Sequence, residues 1–372
     1  MIRLATVFSG IGAVEQALNK LNIKYQLVFA CDNGERELKK TKDEILNETK
    51  NMSSIDREVY VNNLYYKTGK KNYMQLSYMN NYDIKEEDFH QDIRFLDGKK
   101  YFNKVDLLVG GSPCQSFSII GKRGGFKDTR GTLFYEYARL IDEIKPKVFI
   151  FENVKGMLNH DKGKTWQVVQ NTFKELNYKI YIRNNPILNA KDYGIPQNRP
   201  RLFVVGIRSD IKCEDFEFPA EIVLKKAVKD YLEDNLLVDP KYYLGKKGFE
   251  FVTSEKYKNR AQVNSNVMQC QKANQQFNWN GEFVFIPYDV VKNEKKILEK
   301  AYVSTYKGVK GVCRKLTPRE CVRLMGFTDK FVFPDIPDQW KYRQAGNSIV
   351  VNVFEQLINQ LNKLEIWEVN HD

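Results

Sequence analysis

A cysteine follows a Gly/Pro turn in Gly110-Gly111-Ser112-Pro113-Cys114-Gln115, behind the apolar run 105–109. A buried strand ending in such a turn would place the Cys114 thiol at the carboxyl end of a sheet, near backbone N–H groups that favour thiolate. The plain alternative is a small buried apolar cysteine, the usual fate of this residue; the loop-forming neighbours favour a nucleophile. Glu152-Asn153-Val154 closes a second apolar run, 147–151. A carboxylate there would project into the same crevice and exchange a proton or a hydrogen bond with a bound base, or else cap a helix. In Gln197-Asn198-Arg199-Pro200-Arg201, two arginines two residues apart on an extended segment would point the same way. They would hold a ring oxygen or fix the carboxylate; the alternative is a solvated basic pair.

A second group of residues suits a cofactor. Phe8-Ser9-Gly10-Ile11-Gly12 lies between a strand and a helix. Glycines there admit a ligand close to the backbone, and the helix N-terminus offers N–H groups; a ligand-free tight turn has the same sequence. Asp32 ends the next strand, where an acid commonly accepts hydrogen bonds from ribose hydroxyls or caps a helix. Asp92 has the same two readings. Gly121-Lys122-Arg123-Gly124-Gly125 suits a loop closing over a phosphate backbone, or an ordinary surface loop.

The elements that must position these residues read as alternating strands and helices. Strands are expected at 2–8, 26–31, 105–109, 147–151 and 202–207, and helices at 13–21, 35–46, 131–144, 317–325 and 349–364. That alternation predicts an α/β fold with a mostly parallel sheet covered on both faces, and ligands beyond the carboxyl ends of its strands. Residues 35–90 interrupt the rhythm as a polar surface insertion. Residues 209–335 read as a second domain, mixing aromatic and basic residues as in Lys241-Tyr242-Tyr243 and Lys256-Tyr257-Lys258. The first domain would span 1–208 and be completed by 336–372.

Composition narrows the chemistry. The 372 residues carry 59 Lys and Arg against 47 Asp and Glu, a net charge of +12 that favours a polyanionic partner or simply aids solubility. Three histidines and six cysteines without C-x-x-C spacing leave no expected metal site and disfavour a His-based triad. No Walker A lysine motif, signal peptide or membrane-length apolar run is present, so a cytoplasmic protein without a membrane partner is expected.

Taken in order, Phe8-Ser9-Gly10-Ile11-Gly12, Asp32, Asp92-Ile93, Pro113-Cys114-Gln115, Gly131-Thr132-Leu133, Glu152-Asn153-Val154, Gln197-x-Arg199-x-Arg201, Leu316-Thr317-Pro318-Arg319-Glu320 and Gly346-Asn347-Ser348 resemble the cytosine-C5 DNA methyltransferases, particularly the bacterial and phage restriction–modification enzymes. The match covers 1–34, 88–208 and 313–360. The resemblance implies a Rossmann-like S-adenosylmethionine-dependent methyltransferase sheet domain with a smaller target-recognition domain. Phe8, Gly10, Ile11, Gly12, Asp32, Asp92, Ile93, Leu133, Asn347 and Ser348 would line the S-adenosylmethionine pocket. Cys114 would be the nucleophile, and Glu152, Arg199 and Arg201 would hold a flipped-out cytosine. Gln115, Ser118, Lys122 and Arg123 would touch double-stranded DNA, with the basic–aromatic stretches of the second domain adding phosphate contacts.

By the same resemblance 317–327 would scaffold the recognition domain. A monomer bound to nucleoid DNA is expected, and where a restriction endonuclease shares its site, no stable complex between the two. Asn33 departs from the family pattern, which often places an aromatic after the ribose-binding acid. A tRNA cytosine-C5 methyltransferase is the alternative on the same fold, disfavoured by the large second domain and the absence of a Cys-Phe-Thr signature. A nicotinamide-dependent oxidoreductase is more remote.

Overall fold

The computed structural model describes residues 1–112, 133–274 and 279–367. The chain divides into two compact units, Met1–Leu188 with Pro200–Pro219 and Phe354–Asp372, and Asn189–Arg199 with Ala220–Val353. In the first unit, β1 (Ile2–Val7), β2 (Tyr25–Cys31), β3 (Phe89–His90), β4 (Leu107–Gly110) and β5 (Val148–Val154) run parallel, and β6 (Tyr178–Tyr181) follows them in the chain. After β7 (Ile187–Asn189) and the short β8 (Gln197–Asn198) of the second unit comes β9 (Pro200–Arg208), antiparallel to both β5 and β6. The order is β3-β2-β1-β4-β5-β9-β6, with β7 also paired to β9. The central strands are continuous apolar runs because both faces are covered; Leu4, Leu107, Leu108, Val148, Phe149 and Ile150 are fully buried.

Helix α1 (Ala13–Lys20) follows β1 directly. The expected helix at 35–46 forms only at its end, as α2 (Lys42–Glu48). Thr41 and Glu44 close a capping box there, and Glu35 lies at φ 56°, outside helical space. Helices α3 (Ser54–Lys67) and α4 (Tyr73–Met79) complete the segment between β2 and β3. This segment does more than cover the surface: Ile45, Val61 and Tyr65 pack with Phe95, and Tyr78 and Tyr82 pack with Ala30 and Phe89. Helices α5 (Leu133–Ile144) and α6 (Lys164–Lys174) bury Phe134, Tyr137 and Phe173 against Phe149 and Phe151.

The first unit extends past β9 to residue 219 because Ile211 and Phe216 are buried in it, with Phe216 edge-on to Tyr181 at 5.8 Å. The second unit holds α7 (Lys246–Val252), β10 (Ala261–Val263), β11 (Met268–Gln269) and β12 (Gly281–Pro287). The short helices α8 (Tyr288–Val291) and α9 (Lys295–Leu298) precede β13 (Ser304–Tyr306) and β14 (Val309–Lys315). Its sheet runs β10-β12-β14-β13, and β11 pairs with β8.

Helix α10 (Pro318–Arg323) opens on a capping box between Thr317 and Glu320, and Glu320 also receives a two-pronged ion pair from fully buried Arg314 at 2.7 and 2.9 Å. The Thr-Pro-Arg-Glu run is thus a helix start. Helix α11 (Asp338–Asn347) belongs to this unit: the Tyr342 hydroxyl donates to the Leu316 carbonyl at 2.6 Å. Helix α12 (Val351–Lys363) spans the last boundary in sequence. Among the described residues no helix is long and apolar enough to cross a membrane, and no three His, Cys, Asp or Glu side chains are grouped to hold a metal ion.

Candidate active site

The sharpest geometry lies at the carboxyl end of β5. Antiparallel pairing sets Glu152 opposite Phe203 and Val154 opposite Arg201, so Glu152 and Arg201 are diagonal neighbours on one face. Arg201 Nε lies 3.1 Å from Glu152 Oε1, and the Glu152 residue is only 8% exposed. Burial of a charge is tolerable there because its partner is opposite and close. A Cβ on Gly111 would lie 2.6 Å from Glu152 Oε2, so glycine is what lets the end of β4 approach. Asn153 Nδ2 donates to the Ser112 carbonyl at 2.8 Å and ties the two strand ends together. Cys114, Gln115, Ser118, Lys122 and Arg123 lie outside the described residues, two to eleven positions beyond Ser112.

Arg199 does not join this pair. The expectation that it points with Arg201 needs an extended segment, but the Arg199 amide donates to the Gln197 carbonyl at 3.0 Å, and the Gln197 amide to the Ile195 carbonyl at 2.6 Å. Such three-residue turns break the strand alternation. Arg199 is 4% exposed. Its Nη1 donates to the Gln271 carbonyl at 2.7 Å, and its Nη2 to the Gly346 and Ser348 carbonyls at 3.0 and 2.7 Å. It staples backbone within the second unit, which is also where Asn347 and Ser348 sit.

The glycine loop occupies the carboxyl end of β1. Phe8, Gly10 and Gly12 all have left-handed backbones, at φ 54°, 55° and 79°. For Phe8 that conformation is strained and persists only where the surroundings over-determine it. The Ser9 amide donates to the Cys31 carbonyl at 3.2 Å, the Cys31 amide to Ser9 Oγ at 3.0 Å, and the Gly10 amide to Asp32 Oδ2 at 2.9 Å. Asp32 Oδ1 accepts from the Gly34 amide at 2.8 Å. Burial pushes the Asp32 carboxyl up, against the opposing pull of these two amides. A Cβ on Gly10 would meet no atom within 4 Å, so the loop is open on that side, as a ligand approaching the backbone requires. With the Asp32 carboxylate beside it, the loop fits a nucleoside cofactor. Ile11 is buried and Phe8 half-buried.

The remaining expected cofactor residues are placed less simply. Asp92 is buried and accepts from Tyr65 Oη at 2.8 Å and from Arg94 Nε and Nη2 at 2.9 and 2.6 Å. The Ile93 side chain lies in the core and Leu133 packs against it. Tyr65, Tyr78 and Tyr82 are the residues bonded to this region that sequence reasoning missed: they reach Asp92, Glu15 and the Gly12 carbonyl. They lie in the polar segment 35–90, where the four-residue spacing of Tyr78 and Tyr82 is the available signal. Tyr78 donates to Glu15, a fully buried carboxyl on α1 that burial pushes up to about 7.

The basic–aromatic stretches also divide. Lys241 Nζ and Tyr242 Oη both bind Asp338, at 2.9 and 2.8 Å, and Tyr243 is buried, so 241–243 is committed within its unit. Lys256 and Lys258 are exposed beside Tyr257, which stacks on Phe251 at 4.0 Å between ring centroids.

The C-5 cytosine-specific DNA methylase family model matches residues 57–363. The chain belongs to this family. It is a DNA (cytosine-5)-methyltransferase whose methyl donor is S-adenosylmethionine. It is 36% identical over 267 residues to the type II methyltransferase M.HhaI of Haemophilus parahaemolyticus, covering 68% of this chain and 74% of that protein. It is 36% identical over 285 residues to the type II methyltransferase M1.ScrFI of Lactococcus lactis subsp. cremoris, covering 75% of this chain and 67% of that protein. Among solved structures, a mutant DNMT2 of Spodoptera frugiperda matches with a TM-score of 0.66 at 20% identity, covering 97% of this chain and 100% of that chain. The last likeness speaks to the methyltransferase fold alone.

Proposed function

We propose that this C5-methyltransferase grips its target cytosine with Glu152 and Arg201, attacks it with Cys114, and holds S-adenosylmethionine at the glycine loop with Asp32. The Glu152–Arg201 pair at the carboxyl end of the sheet, beside the strand end that leads to Cys114, carries this reading. Cytosine C5 is a poor nucleophile. Addition of the Cys114 thiolate to C6 turns the ring into an enamine with electron density at C5. Glu152, carrying a proton when the base is bound, donates to the ring nitrogen and accepts from the exocyclic amine, which stabilises the negative charge that develops on the ring, while Arg201 holds the ring oxygen and keeps Glu152 aimed. When bound, S-adenosylmethionine supplies an electrophilic methyl group. Loss of the C5 proton and expulsion of the thiolate then restore the aromatic ring and the free cysteine.

The target nucleotide must leave the duplex for this chemistry, because a stacked base is inaccessible on both faces. The first unit is the catalytic domain in this reading. The second reads the sequence through base edges, with phosphate contacts from Lys122, Arg123 and the exposed Lys256 and Lys258 supplying salt-dependent affinity. The enzyme acts as a monomer on nucleoid DNA in the cytoplasm, without a stable endonuclease complex. Cys114→Ser tests the reading: methyl transfer is expected to vanish while DNA binding in a mobility-shift titration is unchanged. Full turnover in that variant overturns the assignment of the nucleophile.

A further inference from the structure

We propose that Tyr82, from the segment between β2 and β3, is a positioning residue for S-adenosylmethionine: its hydroxyl holds the strained glycine loop in the conformation that receives the cofactor. This rests on reading that loop as the cofactor site. The loop alternates left-handed residues at Phe8, Gly10 and Gly12, a strained backbone with one internal bond of its own, from the Gly12 amide to the Ser9 carbonyl at 3.1 Å. Two restraints come from the end of β2, through Cys31 and Asp32. The third comes from Tyr82, whose hydroxyl donates towards the Gly12 carbonyl at 2.8 Å and the Ile11 carbonyl at 3.0 Å and accepts from Gln16 Nε2 at 3.2 Å.

The fit between tyrosine and loop is mutual. A Cβ on Gly12 would lie 2.2 Å from the Tyr82 ring, so glycine is needed there both for its φ and to admit the ring. Tyr82 is itself 6% exposed and packs on Tyr78 at 4.8 Å between ring centroids. Tyr78 anchors to Glu15 in the first turn of α1, so the segment grips the loop and the helix it feeds. The ring blocks the Gly12 side while the Gly10 side stays open. The hydroxyl therefore fixes backbone without occupying the side a ligand would enter.

Tyr82→Phe keeps the ring and removes the hydroxyl. Affinity for S-adenosylhomocysteine, measured by calorimetry without DNA, is expected to fall about tenfold, the effect of losing one buried hydrogen bond that shapes a site. KM for S-adenosylmethionine rises by the same factor, whereas kcat at saturating cofactor and KM for DNA stay within about twofold. Tyr60→Phe, within the same segment but bonded to Lys40 and Glu48, leaves cofactor affinity unchanged. Asp32→Ala is measured alongside. If it weakens the cofactor and Tyr82→Phe only lowers the melting temperature, Tyr82 is structural and the inference is wrong. If neither weakens it, the glycine loop is not the cofactor site and the reading beneath the inference fails as well. Should Tyr82→Phe not fold, Gln16→Leu removes the bond that aims the hydroxyl, and KM for S-adenosylmethionine should rise about threefold; an unchanged KM overturns the inference.

Discussion

The Glu152–Arg201 pair and the glycine loop stand at the carboxyl ends of strands in one sheet, yet they are built differently. The pair is set by strand register: once β5 and β9 align antiparallel, Glu152 and Arg201 must be diagonal neighbours on the same face. The loop has no ladder to hold it. Beyond one internal bond, from the Gly12 amide to the Ser9 carbonyl, its left-handed residues are held by hydrogen bonds from the end of β2 with Asp32 just beyond it, and from Tyr82, which is 70 positions away in sequence from Gly12. A site on regular strands carries its geometry in the local sequence, whereas a site on a strained loop borrows it from elsewhere.

Breaking the register-built site should have the largest effect. Arg201→Ala is expected to lower kcat about 100-fold, the cost of removing one preorganised partner of developing charge, and to lower the melting temperature as well, because it takes away the cation that makes burial of Glu152 tolerable. Arg199→Ala sharpens the contrast. It removes donors from three buried carbonyls within the second unit and should destabilise that unit by roughly 3 kcal/mol. Thermal unfolding and kcat measured on both variants separate the two arginines; equal loss of kcat where both are folded would mean that both touch the base.

A smaller effect probes the loop's foundation. Burial raises the Glu15 carboxyl from 4.5 to about 7, so the folded state binds this proton more tightly than the unfolded chain. Its contribution to stability is complete below about pH 4.5 and is lost as pH climbs through 7. Glu15→Gln should flatten that decline by on the order of 2 kcal/mol in urea titrations across the window. The buried Glu282 carboxyl of the second unit, also raised to about 7, leaves a residual slope of the same sign. An unchanged slope in Glu15→Gln would show that Glu15 is ionised in the fold at neutral pH.

The same contrast explains what the sequence revealed. Apolar runs ending in Gly-Gly-Ser-Pro-Cys and Glu-Asn-Val marked the strands and the residues at their ends, because a parallel sheet buried on both faces leaves little else such runs can be. The place of Glu152 at a strand end was legible for that reason. Arg199 was misread because the tight turns at 195–199 override the alternation of an extended segment. Tyr65, Tyr78 and Tyr82 escaped notice because 35–90 is polar and weakly periodic. Their partners, Asp92, Glu15 and the loop carbonyls, are set by tertiary packing and not by local pattern. The end of the first unit at residue 219 was hidden likewise, since Phe216 packs back on Tyr181 after β9 has ended.

The most direct test of the central claim is nucleoside analysis of duplex DNA incubated with the purified protein and methyl-labelled S-adenosylmethionine. The account predicts label in 5-methyl-2′-deoxycytidine, confined to one recurring sequence. Label in N4-methylcytosine or methyladenine, or transfer to tRNA with none to DNA, would contradict it.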